Sequence, residues 1–188
     1  MDSIKEIFLN RYGLSTPNFD FLHSSMTAHT RLKGEILIRE GEVHDAVYFI
    51  KSGAIRSYYI NKEGKDITYW FGFEGDIAAS LGNFINSKPS LENIELLEDS
   101  VVLKISRSRL LEFYATNIEF ANFGRKLAEN ALLEMEEQIL LTQINDAKSR
   151  YLSLINKFPQ ILQRVNLGHI ASYLGITQVT LSRIRAQK

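Results

Sequence analysis

Between about Thr30 and Ser106 the chain alternates short runs of β-branched and aromatic residues with glycines. Glu63-Gly64 separates Tyr58-Tyr59-Ile60 from Ile67-Thr68-Tyr69-Trp70, which is the pattern of a β-hairpin. Strands this short and closely spaced are typical of a sandwich or barrel, which buries their apolar faces. We therefore expect an all-β unit with strands at Glu35–Ile38, Ala46–Ile50, Ala54–Ile60, Asp66–Phe71, Ile94–Leu97 and Val101–Ile105.

Helical patterns flank the β-region on both sides. Up to about residue 30 apolar residues recur at helical spacing, and a short helix is predicted at Asn18–His23, after Pro17. After Ser106 helices are predicted at Arg107–Tyr114, Ile118–Thr142, Asp146–Lys157, Leu167–Leu174 and Thr177–Arg185. The sequence thus predicts an α+β protein, with a jelly-roll-like β-roll at 1–117, a long helix at 118–144 and a helical unit at 145–188.

The long helix carries a stripe of apolar and small side chains. Its members, separated by steps of four, four, three and four residues, are Gly124, Ala128, Leu132, Met135 and Ile139. These steps are close to the a/d seam of a coiled coil. The stripe can pack on the β-unit of its own chain or on the same helix of a second copy. We expect a homodimer, because small residues allow a neighbouring helix to approach closely.

The charges are divided unevenly along a chain whose net charge is zero. Every Asp and Glu lies at or before Asp146, so residues 1–147 carry 15 − 22 = −7. Residues 148–188 carry seven Lys and Arg and no acid, which gives +7. A basic segment suits a polyanion, because each phosphate contact releases condensed counterions. A solvated basic face without a partner is the alternative interpretation.

The stretch from Leu167 to Ile184 has the pattern of a helix-turn-helix. Gly175 falls in the tight turn, where a positive φ costs glycine little, and Thr177 can cap the second helix. The apolar side chains expected to join the two helices are Ile170, Leu174, Ile176, Leu181 and Ile184, with the small Ala171 at their crossing. A helical hairpin inside a core would look similar, but the basic charge of this segment favours DNA binding.

In such a motif the second helix enters the major groove of double-stranded DNA. Gln178 is suited to adenine, Arg183 to guanine and Val179 to the methyl group of thymine. Contacts to phosphates fix the register of the protein rather than the sequence. The positions expected to face bases are Gln178, Val179, Ser182 and Arg183, and those better placed for phosphates are Thr177, Arg185 and Lys188.

The helix-turn-helix and the β-region together resemble the Crp/Fnr family of transcription regulators. The β-region contributes Lys33-Gly34-Glu35, Arg39-Glu40-Gly41-Glu42, Tyr48-Phe49-Ile50-Lys51-Ser52-Gly53 and Phe73-Glu74-Gly75-Asp76. The order of β-roll, long helix and helix-turn-helix matches the family over nearly the whole chain. The resemblance implies a homodimer on a palindromic DNA site, with RNA polymerase as a further partner. Since the sequence ends after the recognition helix, we expect the β-hairpin wing of many relatives to be absent.

The resemblance also implies a cyclic-nucleotide pocket. In relatives that bind cyclic AMP, a Glu holds the ribose and an Arg-Ser pair holds the cyclic phosphate. Here Ser80 stands in place of the Glu, and Ser90-Leu91 stands in place of Arg-Ser. A buried phosphate without its guanidinium is poorly compensated, so we expect cyclic AMP not to bind in the family's way. The pocket positions are Ala79, Ser80, Leu81, Ser90 and Leu91, with Met135 and Glu136 from the long helix.

Missing residue types restrict the remaining functions. Without cysteine the chain has no disulfide, thiolate zinc site or cysteine-bound iron–sulfur cluster. Its four histidines are scattered, and no nucleophile–base pair is evident. We therefore predict no metal, no cofactor and no enzymatic activity, and leave the effector open.

Two other functions compete with the regulator. One is a β-roll module that binds a protein or a small molecule, a cyclic nucleotide included, without reading DNA sequence. The other is a metal-dependent enzyme on a jelly-roll scaffold. No apolar run approaches the ~20 residues that span a bilayer, and the N-terminus lacks a signal-peptide core, so we expect a cytoplasmic protein with no membrane partner.

Overall fold

A β-roll of two antiparallel sheets forms the N-terminal part of the chain. The structure, a computed structural model, describes residues 3–144 and 146–186. The strands are β1 (Thr27–Arg31), β2 (Ile36–Ile38), β3 (Val47–Ser52), β4 (Ile55–Ile60), β5 (Asp66–Gly72), β6 (Ile77–Ala78), β7 (Asn93–Leu96) and β8 (Ser100–Ile105). They pair in the orders β1-β8-β3-β6 and β2-β7-β4-β5.

Helices precede, interrupt and follow the roll. They are α1 (Ser3–Asn10), α2 (Thr16–Ser24), α3 (Leu81–Asn86), α4 (Arg107–Thr116), α5 (Ile118–Ile144), α6 (Ala147–Lys157), α7 (Ile161–Arg164), α8 (Leu167–Tyr173) and α9 (Gln178–Ala186). The α+β class with its β-roll, long helix and C-terminal helical motif is confirmed. Within the described residues, no helix is both long and apolar enough to cross a membrane.

The prediction that the first 30 residues are helical is wrong at its end. Residues 27–31 form strand β1, which pairs with β8 from Thr27↔Lys104 to Arg31↔Ser100. The strand consists of Thr, Ala, His, Thr and Arg and is largely solvent-exposed, so it lacks the apolar alternation that marks a half-buried strand. The short elements β6, α3 and α7 were not predicted either, since none of them exceeds six residues.

Strand β5 has a special position, because it lies at the edge of its sheet. On its inner side Trp70 packs with the core of the roll. The next residue, Phe71, is buried in a separate cluster that includes side chains of α6, α7, α8 and α9. The C-terminal helices therefore lie directly on the β-roll, and β5 is in contact with both.

Candidate nucleic-acid interface and effector region

Local hydrogen bonds define the two helices of the C-terminal motif. The Asn166 side chain accepts a hydrogen bond from the backbone N–H of His169 at 2.9 Å and caps α8. Gly175 has a φ of 65° in the turn that follows. Thr177 Oγ1 accepts a hydrogen bond from the N–H of Thr180 at 3.1 Å, which satisfies a free donor of the first turn of α9.

Buried apolar residues join the two helices to α6. Ile170 of α8, Leu174 directly after it and Leu181 of α9 lie in one cluster with Tyr151 of α6. The guanidinium of Arg150 donates hydrogen bonds of 3.2 and 3.0 Å to the carbonyl of Leu174, at the end of α8. This basic residue of the tail thus supports the motif internally.

The outer side of α9 remains accessible. Val179 is 61% exposed, and Gln178, Ser182, Arg183 and Arg185 are exposed with it. Thr177, in the turn before α9, is also exposed. The amide of Gln178 lies over Gly168 of α8, where a Cβ would come within 2.7 Å of its nitrogen. Lys188 lies outside the described residues.

The inner side of α8 docks on the edge of β5. The Ser172 hydroxyl accepts a hydrogen bond from the N–H of Thr68 at 2.9 Å and donates one to the carbonyl of Asp66 at 3.1 Å. It therefore pairs backbone groups that an edge strand leaves free. Burial, followed by the charge of Arg56, lowers the pKa of the neighbouring His169. No pattern in the sequence indicates this docking, because its partners lie more than 100 residues apart.

One polar face of α5 holds both the roll and the C-terminal motif. Glu134 accepts a hydrogen bond from the indole of Trp70 at 3.2 Å and forms an ion pair with Arg11 at 3.3 Å. Further along the helix, Gln138 accepts a hydrogen bond from the hydroxyl of Tyr173 at 2.7 Å. Glu134 and Gln138 are four residues apart, so they lie on the same side of the helix. Neither contact was predicted.

The predicted dimer stripe lies partly on an open face of α5. Leu132 is 68% exposed, and Ala128, Met135 and Ile139 are exposed with it. Gly124 differs, since a Cβ there would come within 2.8 Å of the ring of Tyr114 in α4. Gly124 therefore makes room for a helix of its own chain, and we remove it from the proposed seam.

The predicted effector positions are divided between buried and exposed sites. Ser80 and Ser90 are buried, and Ala79 is partly buried. The hydroxyl of Ser90 already donates to the backbone carbonyl of Glu92 at 2.8 Å. Leu81 and Leu91 are exposed, as are Met135 and Glu136 of α5. The effector pocket at these seven positions therefore stays a prediction.

An acidic residue, Glu92, also lies in this region. Glu92 accepts a hydrogen bond from the hydroxyl of Tyr69, and a second comes from Ser57. Burial outweighs the bond from Ser57 and raises the pKa of Glu92 to about 7. Lys88, the nearest cation along the loop, is exposed. A carboxyl group in this place disfavours an anionic ligand whenever it is ionised.

Comparisons with known proteins relate the roll and the whole chain to regulators. Residues 29–117 match the cyclic nucleotide-binding domain. The electron transport regulator A of Shewanella oneidensis is 28% identical over 163 residues, which is 81% of this chain and 64% of that protein. The fumarate and nitrate reduction regulatory protein of Vibrio cholerae has the same identity and coverage. The chain thus spans just under two thirds of the length of these relatives.

Solved structures share the arrangement of the chain. FixK2 from Bradyrhizobium japonicum superimposes with a TM-score of 0.77 at 23% identity, covering 86% of this chain and 83% of that one. The c-di-GMP responsive regulator CLP from Xanthomonas campestris gives 0.73 at 14% identity, covering 92% and 91%. A protein from Eubacterium rectale described as a Crp/Fnr regulator gives 0.72 at 19% identity, covering 91% and 82%. At these identities the likeness concerns the fold.

Proposed function

We propose that the chain is a Crp/Fnr-type protein and acts as a homodimeric, sequence-specific DNA-binding transcription regulator. The observation that carries the proposal is the exposed outer face of α9 on a motif whose other sides are buried. Val179, Ser182 and Arg183 face outwards from a helix that is capped, packed on α8 and fixed against the roll. A rigid helix with free polar and basic side chains is suited to the major groove.

The open face of α5 supports the dimer. Exposed apolar side chains on a long helix, with Leu132, Met135 and Ile139 at steps of three and four, are suited to a second copy of the same helix. Two copies related by a two-fold axis would present two α9 helices to a palindrome, about 34 Å apart. RNA polymerase is a further proposed partner, on the grounds that the relatives are regulators.

Helix α5 is suited to couple the sensor to the DNA-binding motif. Its contacts with Trp70 and Tyr173 lie one helical turn apart, so a rotation or shift of α5 displaces both at once. An effector that binds one arrangement more tightly than the other would thereby change the position of α9. We propose that this effector is not cyclic AMP bound in the family's way, because Ser90 and Leu91 stand in place of the Arg-Ser pair of relatives and the neighbouring Glu92 is an acid.

We propose further that the protein is not an enzyme. Its relatives are named as regulators. Catalysis would require a reactive group beside a general base, whereas the exposed face of α9 is suited to binding.

Selection from a randomised pool of double-stranded DNA, at fixed salt and with or without cyclic AMP, tests this function. We expect an enriched palindrome in both conditions. Enrichment only with cyclic AMP would contradict the pocket argument and leave the regulator in place. If no sequence is enriched in either condition, the proposed function is wrong.

A further inference from the structure

A guanidinium links the C-terminal motif to two separate turns of the β-roll. Arg164, the last residue of α7, donates to Glu74 through Nη1 at 3.0 Å and through Nη2 at 2.7 Å. The same side chain donates to Glu98 through Nε at 3.1 Å and pairs with it through Nη2. Glu74 lies in the turn between β5 and β6, and Glu98 in the turn between β7 and β8. We call these three residues the Arg164 clamp.

The clamp is held on several sides. The guanidinium lies 5.0 Å from the centre of the Phe73 ring, and that ring lies 4.9 Å from the ring of Phe158. Glu74 also accepts a hydrogen bond from the N–H of Gly53 at 2.9 Å. Although burial opposes it, the bonds from Arg164 and then from Gly53 lower the pKa of Glu74, so the carboxylate is ionised at neutral pH.

The clamp restricts the orientation of the C-terminal motif on the β-roll more tightly than the apolar contacts do. Beside it, Phe71, Ala54 and Leu97 of the roll are buried against the C-terminal helices. Apolar contacts are non-directional and allow small rotations, whereas a planar guanidinium bonded to two carboxylates on separate turns tolerates few. The outward side chains of α9 remain exposed in this docked arrangement.

We infer that Arg164 is a positioning residue which determines the spacing between half-sites, although it does not read the DNA itself. This inference rests on the proposed function. In a dimer, two recognition helices on rigidly docked motifs match a single spacing of about one DNA turn. Motifs free to rotate accommodate several spacings and lose the advantage of preorganisation at the preferred one.

Two variants that change the charge in opposite directions isolate this effect. Arg164→Gln removes a positive charge from the motif, while the double variant Glu74→Gln, Glu98→Gln removes two negative charges from the roll. A purely electrostatic effect on DNA affinity would have opposite signs in the two. Loss of the clamp would change the spacing preference in the same direction in both variants. Arg109→Gln, which removes an exposed arginine paired with Glu112 on α4, is the matched control.

The measurement is the affinity for the palindrome selected from the random pool, for the same palindrome with one or two base pairs inserted or removed between its halves, and for a single half-site. We expect the wild type and Arg109→Gln to prefer one spacing by about tenfold or more. Both clamp variants should bind the altered spacings nearly as well as the original, with half-site sequence preference unchanged. Arg164→Lys retains the charge but not the forked geometry, so its spacing preference should lie between that of the wild type and that of the clamp variants.

The outcomes separate this inference from the function on which it rests. A wild-type spacing profile in both clamp variants would overturn the role of Arg164 and leave the regulator standing, as would a wild type that tolerates every spacing. If neither a palindrome nor a half-site is selected, both proposals fail. Circular dichroism and the dimer content of each variant identify one that does not fold, and the remaining clamp variant then decides.

Discussion

The indole Nε1 of Trp70 donates a hydrogen bond of 3.2 Å to the carboxylate of Glu134, and so connects the inner face of β5 to the middle of α5. Arg11 approaches the other oxygen of Glu134 and also pairs with Asp76 at 3.1 Å. The long helix is thus bound to the roll by charge-assisted bonds on one face while its opposite face remains open. A change in the sensor can reach the proposed dimer helix through these groups.

Trp70 is the only tryptophan in the chain, so its fluorescence reports this contact directly. Glu134→Ala removes the acceptor, and we expect a shift in the tryptophan emission together with a loss of stability of about 1 kcal/mol, typical of one hydrogen bond to a charged group that is partly solvated. Glu137→Ala, which breaks the neighbouring ion pair with Lys157, is the matched control and should leave the emission unchanged. Equal emission changes in both variants would contradict a specific Trp70–Glu134 bond.

Glu92 should make the stability of the protein depend on pH. Its folded pKa of about 7 lies above the ordinary value of 4.5, so between these values the folded state holds a proton that the unfolded state has lost. The stability that this group contributes is therefore present below pH 4.5 and is lost as the pH rises through 7.

Glu92→Gln retains a hydrogen-bonding side chain without the charge. We expect it to match the wild type at pH 4.5 and to exceed it at pH 8, by on the order of 2 kcal/mol, in urea unfolding followed across this range. Glu63→Gln, at the exposed hairpin between β4 and β5, should change neither end of the profile. Parallel profiles for wild type and Glu92→Gln would contradict a perturbed carboxyl group.

The contrast between Ser172 and Thr177 shows which contacts can be predicted from the sequence and which cannot. The capping role of Thr177 was predicted because it follows from neighbours within one turn, and the same holds for Gly175 in the bend. Ser172 looks like any polar residue on the outside of a short helix. Its hydrogen bonds to Thr68 and Asp66 depend on how two distant parts of the chain dock, which local periodicity does not encode.

The same distinction explains the outcomes for α5 and the effector region. The helix and its open apolar stripe follow from spacing, whereas the place of Gly124 against Tyr114 depends on where α4 packs. Ser90 was recognised as lacking the charge of its counterpart in relatives. The raised pKa of Glu92, two residues away, depends on burial beside Tyr69 and Ser57, which only the fold reveals.

The proposed dimer seam can be located to one side of α5. Leu132→Glu places a charge among apolar side chains of the seam, so we expect monomers in sedimentation experiments and a loss of palindrome affinity of tenfold or more, about 1.4 kcal/mol. Leu133→Glu is the matched change on the neighbouring stripe, where Leu133 and Leu140 are also exposed. If Leu133→Glu alone breaks the dimer, the seam lies on that stripe. Tight palindrome binding by a monomeric Leu132→Glu would contradict the dimer requirement.

Arg183 and Arg185 should differ in what they contribute to DNA binding, although both are exposed arginines of α9. If Arg183 bonds to a guanine edge, Arg183→Ala should relax the preference at one base-pair position by ~1–3 kcal/mol and leave the other positions unchanged. Arg185→Ala should weaken binding to all sequences alike and reduce the slope of log affinity against log salt by about 1, since a phosphate contact releases counterions without reading bases. Affinities of both variants for the selected palindrome and for its single-base substitutions, at several salt concentrations, provide the comparison. A uniform loss in Arg183→Ala would reassign that residue to the phosphates and leave base reading to Gln178, Val179 and Ser182.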